Sequence, residues 1–355
     1  MKQYFIPVIR ALICKHFIPL FSILFFIACN SNENKLNGNA VFAIDIPAVP
    51  APLPVTDTSL PVPLAYDTVQ YNKLMKVLAN GDKTGHWPPA ASLPLDRAIL
   101  PFNRVVAYYG NFYSRNMGIL GEYDPPVMLQ KLKEQAGKWA VADSLTPVIP
   151  ALHYIAVTAQ DSPGDGYYRL RMPEIQIQKA IRLADSIKGI VFLDVQVGKS
   201  TVENELPRLE KYMKLPNVHL GIDPEFSMKT GKTPGTVIGT MDAADINYAT
   251  RWLAKIVKEN QLPPKILVVH RFTAGMLTNY KKIETKPEVQ IVINMDGFGA
   301  PVLKQSTYRS FIYREPVQFT GFKLFYKNDV NRGGRMMNPD EILALKPRPI
   351  YIQYQ

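Results

Sequence analysis

Segments with the pattern of β-strands and segments with the pattern of α-helices alternate along the chain from Arg104 to its last residue, Gln355. Each strand-like segment is a short apolar run rich in β-branched and aromatic residues. The runs are RVVAYYGNF, TPVIPALHYIA, GIVFLDVQVG, VHLGIDPEFS, KILVVHRF, VQIVINMDGFG, GFKLFYKND and PIYIQYQ. This alternation restricts the fold more than any other feature, because strands separated by helices pair in parallel through crossovers.

The segments between the runs carry helix start signals. Capping residues precede proline at Asp124 and Asn338, and Asp242 is followed three residues later by a second acid. Residues 173–188 and 242–260 have helical spacing. Eight such units over about 250 residues predict an α/β fold, a (β/α)₈ TIM-like barrel over residues 101–355, without an eighth helix because the last strand ends the chain. An open doubly wound sheet is the alternative, but YYGNFYSRNMG lacks the glycine-rich phosphate loop of that fold.

The N-terminal segment has the pattern of an export signal. Residues 1–28 have a basic start and an apolar run from Phe17 to Ala28 that is too short for a comfortable membrane span. The run ends with a small residue directly before Cys29, which resembles a bacterial lipoprotein signal peptide. The resemblance implies that Cys29 receives lipid and that the protein lies in the cell envelope, facing the periplasm or the exterior. An ordinary signal peptide and an uncleaved anchor helix remain alternatives.

Residues 29–100 are predicted to form a proline-rich tether. Prolines stand at positions 47, 50, 52, 54, 61 and 63, a spacing that favours extended polyproline conformations. A short helix is expected from Tyr71 to Ala79, stopped by Asn80-Gly81. This helix could cover the gap left by the missing eighth helix. The tether would hold the barrel off the membrane, and part of it could instead pack on the barrel.

Polar residues occur late in nearly every predicted strand. Side chains alternate between the barrel interior and the helix layer, and active sites of such barrels lie at the carboxyl ends of the strands. The inward-facing or strand-ending polar residues are Tyr109, Asn111, His153, Asp194, Gln196, Asp223, Glu225, His270, Asn294, Asp296, Lys323 and Gln353. Burying a whole ring of polar groups costs too much desolvation to be incidental, so we predict a ligand-binding or catalytic site there.

Four carboxylates in this ring are the candidate catalytic residues. Asp223 and Glu225 stand two apart on one strand face, so one can hold a proton that the other cannot. Glu225 would be the general acid and Asp223 would orient it, while Asp194 and Asp296 would act as nucleophile, base or cation stabiliser. Asp223 could instead neutralise Arg271 or a loop lysine. A pair of carboxylates across a sugar is the requirement of glycosidic hydrolysis.

Two resemblances agree with this chemistry. The strand pattern and GIDPEF, residues 221–226, resemble TIM-barrel glycoside hydrolases, and GIDPEF is similar to the end of the chitinase-type motif, where Asp-x-Glu closes the fourth strand. That resemblance implies an orienting role for Asp223 and an acid role for Glu225. The earlier aspartates of the motif are absent, so assistance by an acetamido group is not expected. LDVQVG, GIDPEF, VVHRFT, NMDGFG, GFKLFY and PDEILALKPRPIYIQY together resemble an uncharacterised family of secreted bacterial lipoproteins, from about Val105 onward.

The sequence therefore predicts a membrane-anchored hydrolase that acts on a polysaccharide or cell-wall glycan. The other polar residues of the ring would bind substrate, and Tyr108, Tyr109, Phe112 and Tyr113 could stack on sugars. Two alternatives stay open, a non-catalytic glycan-binding lipoprotein and a metal-dependent phosphodiesterase using His153, His270 and Asp296. We expect no cofactor and no metal. The net charge is +11, or 11 − 3 = +8 without Lys2, Arg10 and Lys15 of the predicted signal, which suits an anionic surface or polymer but names no partner. No basic stripe with interleaved aromatics predicts nucleic-acid binding.

Overall fold

Eight parallel strands form the centre of the molecule. The computed structural model describes residues 67–331 and 334–355. The strands are β1 (Arg104–Gly110), β2 (Val148–Ala159), β3 (Ile190–Val195), β4 (Val218–Ile222), β5 (Lys265–Arg271), β6 (Val289–Met295), β7 (Phe319–Leu324) and β8 (Tyr351–Tyr354). Each strand pairs in parallel with its neighbours in chain order, and β1 pairs with both β2 and β8. The sheet therefore closes on itself, which confirms the predicted barrel and excludes the open sheet.

Helices surround the barrel and connect its strands. Their bounds are α1 (Thr68–Ala79), α2 (Ile119–Glu122), α3 (Pro125–Ala142), α4 (Glu174–Asp185), α5 (Val202–Glu205), α6 (Glu210–Met213), α7 (Ala243–Glu259), α8 (Pro301–Tyr308) and α9 (Pro339–Leu343). The predicted helix starts are confirmed. Asp242 and Asn338 each form a reciprocal capping box with the acid three residues later, which satisfies two backbone N–H groups at each start.

Shorter elements lie in the loops that follow the barrel strands. A strand of three residues, Arg169–Arg171, pairs antiparallel with the end of β2. Two strands of two residues, Met241–Asp242 and Leu277–Thr278, pair with each other. A three-residue 3₁₀ turn, Pro224–Phe226, follows β4 directly. These elements shape the loops at the carboxyl ends of the strands.

The apolar core has two layers, as the alternation of side chains along the strands requires. One layer lies inside the barrel and includes Val105, Phe192 and Phe319. The other lies between the strands and the helices and includes Trp139 and Leu253. The polar side chains at the carboxyl ends of the strands lie above the apolar layer inside the barrel.

The region assigned to the tether is folded from residue 67 onward. Helix α1 buries Tyr71, Met75 and Leu78 in the layer inside the barrel, together with Leu100. The Arg348 N–H donates to the Leu78 carbonyl, which ties the helix to the segment before β8. The expected short helix is therefore present, but it covers the amino-terminal end of the barrel rather than a gap in the outer helix layer.

Residues 80–100 also pack on the barrel. The Trp87 Nε1–H donates to the Tyr313 carbonyl at 2.9 Å, and the side chain of Gln290 accepts from the Leu100 N–H at 3.1 Å. The alternative of a packed segment therefore holds for this part of the predicted tether. The predicted signal, Cys29 and the proline-rich segment up to residue 66 lie outside the described residues. No helix in the described part of the chain is long and apolar enough to cross a membrane.

Candidate active site at the carboxyl ends of the strands

Side chains from most of the barrel strands meet at the carboxyl end of the barrel. The structure brings together ten of the twelve predicted residues through direct contacts, namely Tyr109, His153, Asp194, Gln196, Asp223, His270, Asn294, Asp296, Lys323 and Gln353. Glu225 lies next to them on the 3₁₀ turn after β4 and is half-buried. We call this point, where Glu225 reaches the surface, the entrance. All except Glu225 are buried, so their polar atoms depend on each other for charge compensation.

Asp194 is the centre of this group. One carboxylate oxygen, Oδ1, lies 3.1 Å from Nε2 of His153 and 3.4 Å from Nε2 of His270. The other oxygen, Oδ2, accepts a hydrogen bond of 3.0 Å from the Tyr109 hydroxyl. Asp194 has no exposed surface. With both oxygens engaged and no access from solvent, its geometry does not support the attacking role suggested for it, and an electrostatic role remains.

A chain of alternating charges leads from Asp194 towards the entrance. Nδ1 of His270 lies 2.9 Å from Oδ2 of Asp296, and the other Asp296 oxygen lies 2.9 Å from Nζ of Lys323. The Lys323 ammonium also stands 3.9 Å above the ring of Tyr109, a favourable cation–π geometry. Asp296 is 7% exposed and therefore lies nearer to solvent than Asp194, which has no exposed surface.

A glycine on β4 makes this packing possible. A Cβ atom at Gly221 would lie 2.4 Å from Oδ1 of Asp194 and 2.4 Å from Nε2 of His153. No side chain larger than hydrogen fits there without displacing the pair. The inward position of Gly221 therefore belongs to the site as much as the polar residues do.

Asp223 and Glu225 lie on the 3₁₀ turn that follows β4. Oδ1 of Asp223 accepts from the Glu225 N–H at 3.0 Å, so it caps the turn and fixes the backbone of Glu225. Oδ2 of Asp223 contacts Nε2 of Gln196 at 3.4 Å. Arg271 does not neutralise Asp223, because it pairs with Glu315 at 2.6 Å. The turn thus presents the Glu225 side chain, which is half-buried, at the entrance.

The buried charges shift the pKa values of Asp194, His270 and His153 in different directions. Burial alone would raise the pKa of Asp194, but attraction to His270 and His153 outweighs it and lowers that pKa. Burial would lower the pKa of His270, but Asp194 and Asp296 on either side raise it to about 10. For His153 burial dominates and lowers the pKa to about 4. At neutral pH the centre therefore contains ionised Asp194, protonated His270 and neutral His153.

The pKa values of the two carboxyl groups on the turn are raised, whereas that of Asp194 is lowered. Burial, together with the charges of Asp194 and Asp296, raises the pKa of Asp223 to about 7. Burial, together with Asp223 and Asp296, raises the pKa of Glu225 to about 8. Among the described residues no side chain forms an ion pair or hydrogen bond with the Glu225 carboxyl group. A protonated and unpaired carboxylic acid at an entrance is able to donate its proton.

Some predicted residues have other roles. Asn111 does not join the group, because its amide donates to the Ile155 carbonyl at 3.0 Å and its oxygen accepts from the Tyr113 N–H. Tyr108 faces outward and contacts Tyr326. Of the four aromatic residues predicted to stack on sugars, Tyr113 is the most exposed, at 62%.

Tyr351 is a member of the group that the sequence interpretation did not identify. Its hydroxyl lies 2.6 Å from Nδ1 of His153 and accepts from Gln353 at 3.0 Å. The signal was present, because Tyr351 and Gln353 are two apart on one strand and so share the inward face. The aromatic ring was consistent with ordinary core packing.

A surface cavity lies away from this site. A cavity of about 390 Å³ is lined by Tyr308, Arg309, Tyr313 and Lys346, next to helices α8 and α9. None of the residues at the carboxyl ends of the strands lines it. At the carboxyl ends of the strands Glu225 is half-buried, and the polar residues next to it are buried and closely packed.

No family model matches the chain, and no curated protein matches it either. Among solved structures the chain is similar to a sugar phosphate isomerase/epimerase from Parabacteroides distasonis, with 10% sequence identity and a TM-score of 0.33, covering 71% of this chain and 86% of that one. It is also similar to GH26C from Muricauda sp., with 10% identity and a TM-score of 0.32, covering 80% and 81%. Membership of the lipoprotein family stays a prediction.

Proposed function

We propose that this protein is a lipid-anchored, extracytoplasmic hydrolase that cleaves glycosidic bonds of a polysaccharide or cell-wall glycan. The location rests on the N-terminal signal and Cys29, and the chemistry rests on the carboxyl end of the barrel. One observation carries the reaction type. Glu225 is half-buried, has no partner among the described residues and has a raised pKa of about 8, which are the properties required of an acid that protonates a leaving oxygen.

The neighbouring groups support this role in distinct ways. Asp223 holds the turn that carries Glu225 and, when ionised, raises its proton affinity further. Asp296 would stabilise positive charge on the sugar in the transition state, or act as base or nucleophile, since it is less deeply buried than Asp194. Lys323 and Gln196, which keep some exposed surface, would hold substrate hydroxyl or acidic groups, whereas His270, Asn294 and Gln353 are fully buried and would act through their neighbours. Tyr113 offers an exposed ring for stacking.

The first prediction is that Glu225→Gln abolishes turnover of a natural glycan. The amide keeps the size of the side chain but has no acidic proton, so we expect a loss on the order of 10²–10⁴-fold in kcat. The measurement is release of reducing ends from a panel of cell-wall and capsular glycans. An aryl glycoside with a strongly acidic leaving group needs no protonation, so the loss on that substrate should be much smaller.

Glu134→Gln is the matched control, since Glu134 is an exposed carboxylate on helix α3. Its activity should equal that of the wild type. If Glu225→Gln keeps full activity on the glycan, the acid assignment is wrong. Binding of glycan without any released product, unchanged in the variant, would favour the non-catalytic binder. Hydrolysis of phosphodiesters that a chelator stops would favour the phosphodiesterase.

A further inference from the structure

We propose that His153, Asp194 and His270 form a binding site for one divalent first-row transition metal ion. The ligand atoms are Nε2 of His153, Oδ1 of Asp194 and Nε2 of His270. This set of two imidazoles and one carboxylate is a common ligand set for zinc, iron and related ions. The inference goes beyond the proposed function and departs from the expectation that the protein holds no metal.

The distances between the ligand atoms suit a shared ion. Oδ1 of Asp194 lies 3.1 Å from Nε2 of His153 and 3.4 Å from Nε2 of His270. Ligands about 2.0–2.2 Å from one ion, at tetrahedral or octahedral angles, are about 2.8–3.6 Å apart. Each residue offers a ligand atom, and these atoms all lie within 4.8 Å of one another. The three strands β2, β3 and β5 fix them from different sides of the barrel.

The same three atoms are paired by charge but do not form well-directed hydrogen bonds with one another. Nε2 of His153, Oδ1 of Asp194 and Nε2 of His270 are buried and lack hydrogen bonds of acceptable geometry, although they lie close together. The residues themselves have no exposed surface. Nδ1 of His270 and Oδ1 of Asp296 in the same group also lack well-formed hydrogen bonds. Buried polar atoms are nearly always satisfied, so the convergence of Nε2 of His153, Oδ1 of Asp194 and Nε2 of His270 on one point requires an explanation. A metal ion between them satisfies all three at once.

The outer contacts are those that metal ligands usually have. Nδ1 of His153 is hydrogen-bonded to the Tyr351 hydroxyl at 2.6 Å, and Nδ1 of His270 lies 2.9 Å from Asp296. Each imidazole therefore has one nitrogen held by an oxygen group, and its other nitrogen is directed at Asp194. The Tyr109 hydroxyl fixes the second oxygen of Asp194. Such outer contacts orient the rings and raise the basicity of the ligands.

Gly221 leaves the required space next to these atoms. A Cβ atom there would come within 2.4 Å of two of the three ligand atoms. Strand β4 crosses the middle of the site, and at Gly221 it has no side chain to fill this space.

The test is the metal content of the full-length protein. The protein is expressed in medium supplemented with Zn²⁺, purified without chelator and measured by inductively coupled plasma mass spectrometry. We expect about one equivalent of zinc per chain in the wild type, the stoichiometry of a single site. Protein loaded with Co²⁺ should show the visible absorption bands of a low-coordinate nitrogen–oxygen site. The readouts need no turnover, so they stand whether or not the glycosidase proposal holds.

Two sets of variants decide the assignment. His153→Gln and His270→Gln should lose the metal, whereas His219→Gln, which removes another buried histidine of the barrel, and His86→Gln, which removes an exposed one, should retain it. Tyr351→Phe keeps all three ligands and should weaken Zn²⁺ binding by about 10- to 100-fold. This variant keeps the test decisive if a ligand variant fails to fold.

Three results would overturn the proposal. The first is wild-type protein with less than a tenth of an equivalent of zinc and no cobalt bands. The second is equal zinc content in the wild type and in folded His153→Gln and His270→Gln. The third is a loss of zinc in His86→Gln alone, which would place the ion at the surface.

Discussion

At the scale of single residues, the site places four carboxyl groups close together and gives them unequal proton affinities. Asp194 and Asp296 are next to cationic partners, so attraction keeps them ionised. Asp223 and Glu225 form no ion pair with those partners, and burial together with the nearby carboxylates raises their pKa values. Divergent pKa values within one group of acids are a frequent property of catalytic sites.

This difference has a consequence for stability that Asp223→Asn tests. The pKa of Asp223 is raised from 3.8 to about 7 in the folded protein. A raised pKa means that the folded state holds the proton more tightly, so this contribution to stability is complete below about pH 4 and is lost as pH rises through about 7. Asparagine keeps the oxygen that caps the turn and cannot ionise. We expect the variant to be more stable than the wild type at pH 8, by on the order of 1–2 kcal/mol.

The measurement is urea unfolding between pH 4 and pH 9 in buffer that contains a chelator. The advantage of the variant should disappear towards pH 4, because both proteins are then uncharged at this position. Asp161→Asn, in an exposed loop, should follow the wild type at every pH. A constant difference between Asp223→Asn and the wild type across the range would contradict the assigned titration.

At the scale of elements, the strands position the site and the turn after β4 completes it. β4 contributes Gly221 inside the barrel, then passes directly into the turn of Asp223 and Glu225. A single segment of five residues therefore supplies the space for the buried group and the acid above it. Any change that moves β4 relative to β3 affects both at once.

Gly221→Ala tests the close contact on β4. The added methyl group would overlap Asp194 and His153 at 2.4 Å, and overpacking of this kind costs roughly 1–3 kcal/mol. We expect loss of stability by that amount, measured by denaturant unfolding, together with loss of activity. Gly137→Ala, on an exposed part of helix α3 where the methyl group meets nothing within 4 Å, should instead stabilise by roughly 0.5–1 kcal/mol. Equal changes in the free energy of unfolding for the two substitutions would show that the close contact at Gly221 does not affect stability.

The strands were the most predictable part of the chain. Their apolar runs and the two-residue alternation located His153, Asp194, His270 and Lys323 on the inward face, because both properties are local in sequence. The partners of each side chain were not predictable. The Asp194 contacts with His153 and His270 join β3 to β2 and β5, and they depend on how the closed sheet aligns its strands.

Asn111 illustrates a different limit of the sequence interpretation. It has the same spacing from Tyr109 as the other paired residues, but β1 ends at Gly110. The asparagine side chain then bonds to backbone groups nearby, as this residue type often does in turns. Alternation no longer applies once the strand has ended, and the prediction failed there for that reason.

At the scale of the whole molecule, the barrel is covered at one end and carries the candidate site at the other. Helix α1 and Leu100 close the amino-terminal end. The sequence predicted the helix but not its position, because proline-rich surroundings suggested a tether and the apolar face of the helix is short. Burial of Tyr71, Met75 and Leu78 makes this segment part of the folded unit.

Met75→Ala tests the contribution of this helix to the fold. Met75 is 5% exposed and contacts the layer inside the barrel, so truncation should destabilise by roughly 2–5 kcal/mol. Val77→Ala on the same helix removes a side chain that is 45% exposed and should change stability by less than about 0.5 kcal/mol. Thermal unfolding of both variants gives the comparison. A difference smaller than the error between them would mean that the barrel is stable without the helix.

The complete burial of His153, Asp194 and His270 also sets a time scale. Side chains with no exposed surface exchange water, protons or ions with the solvent when the structure opens, and openings in the centre of a packed barrel are rare events. An ion bound there would enter as the chain folds and would leave slowly afterwards. The composition of the site would then record the conditions in which each molecule folded, long after those conditions had changed.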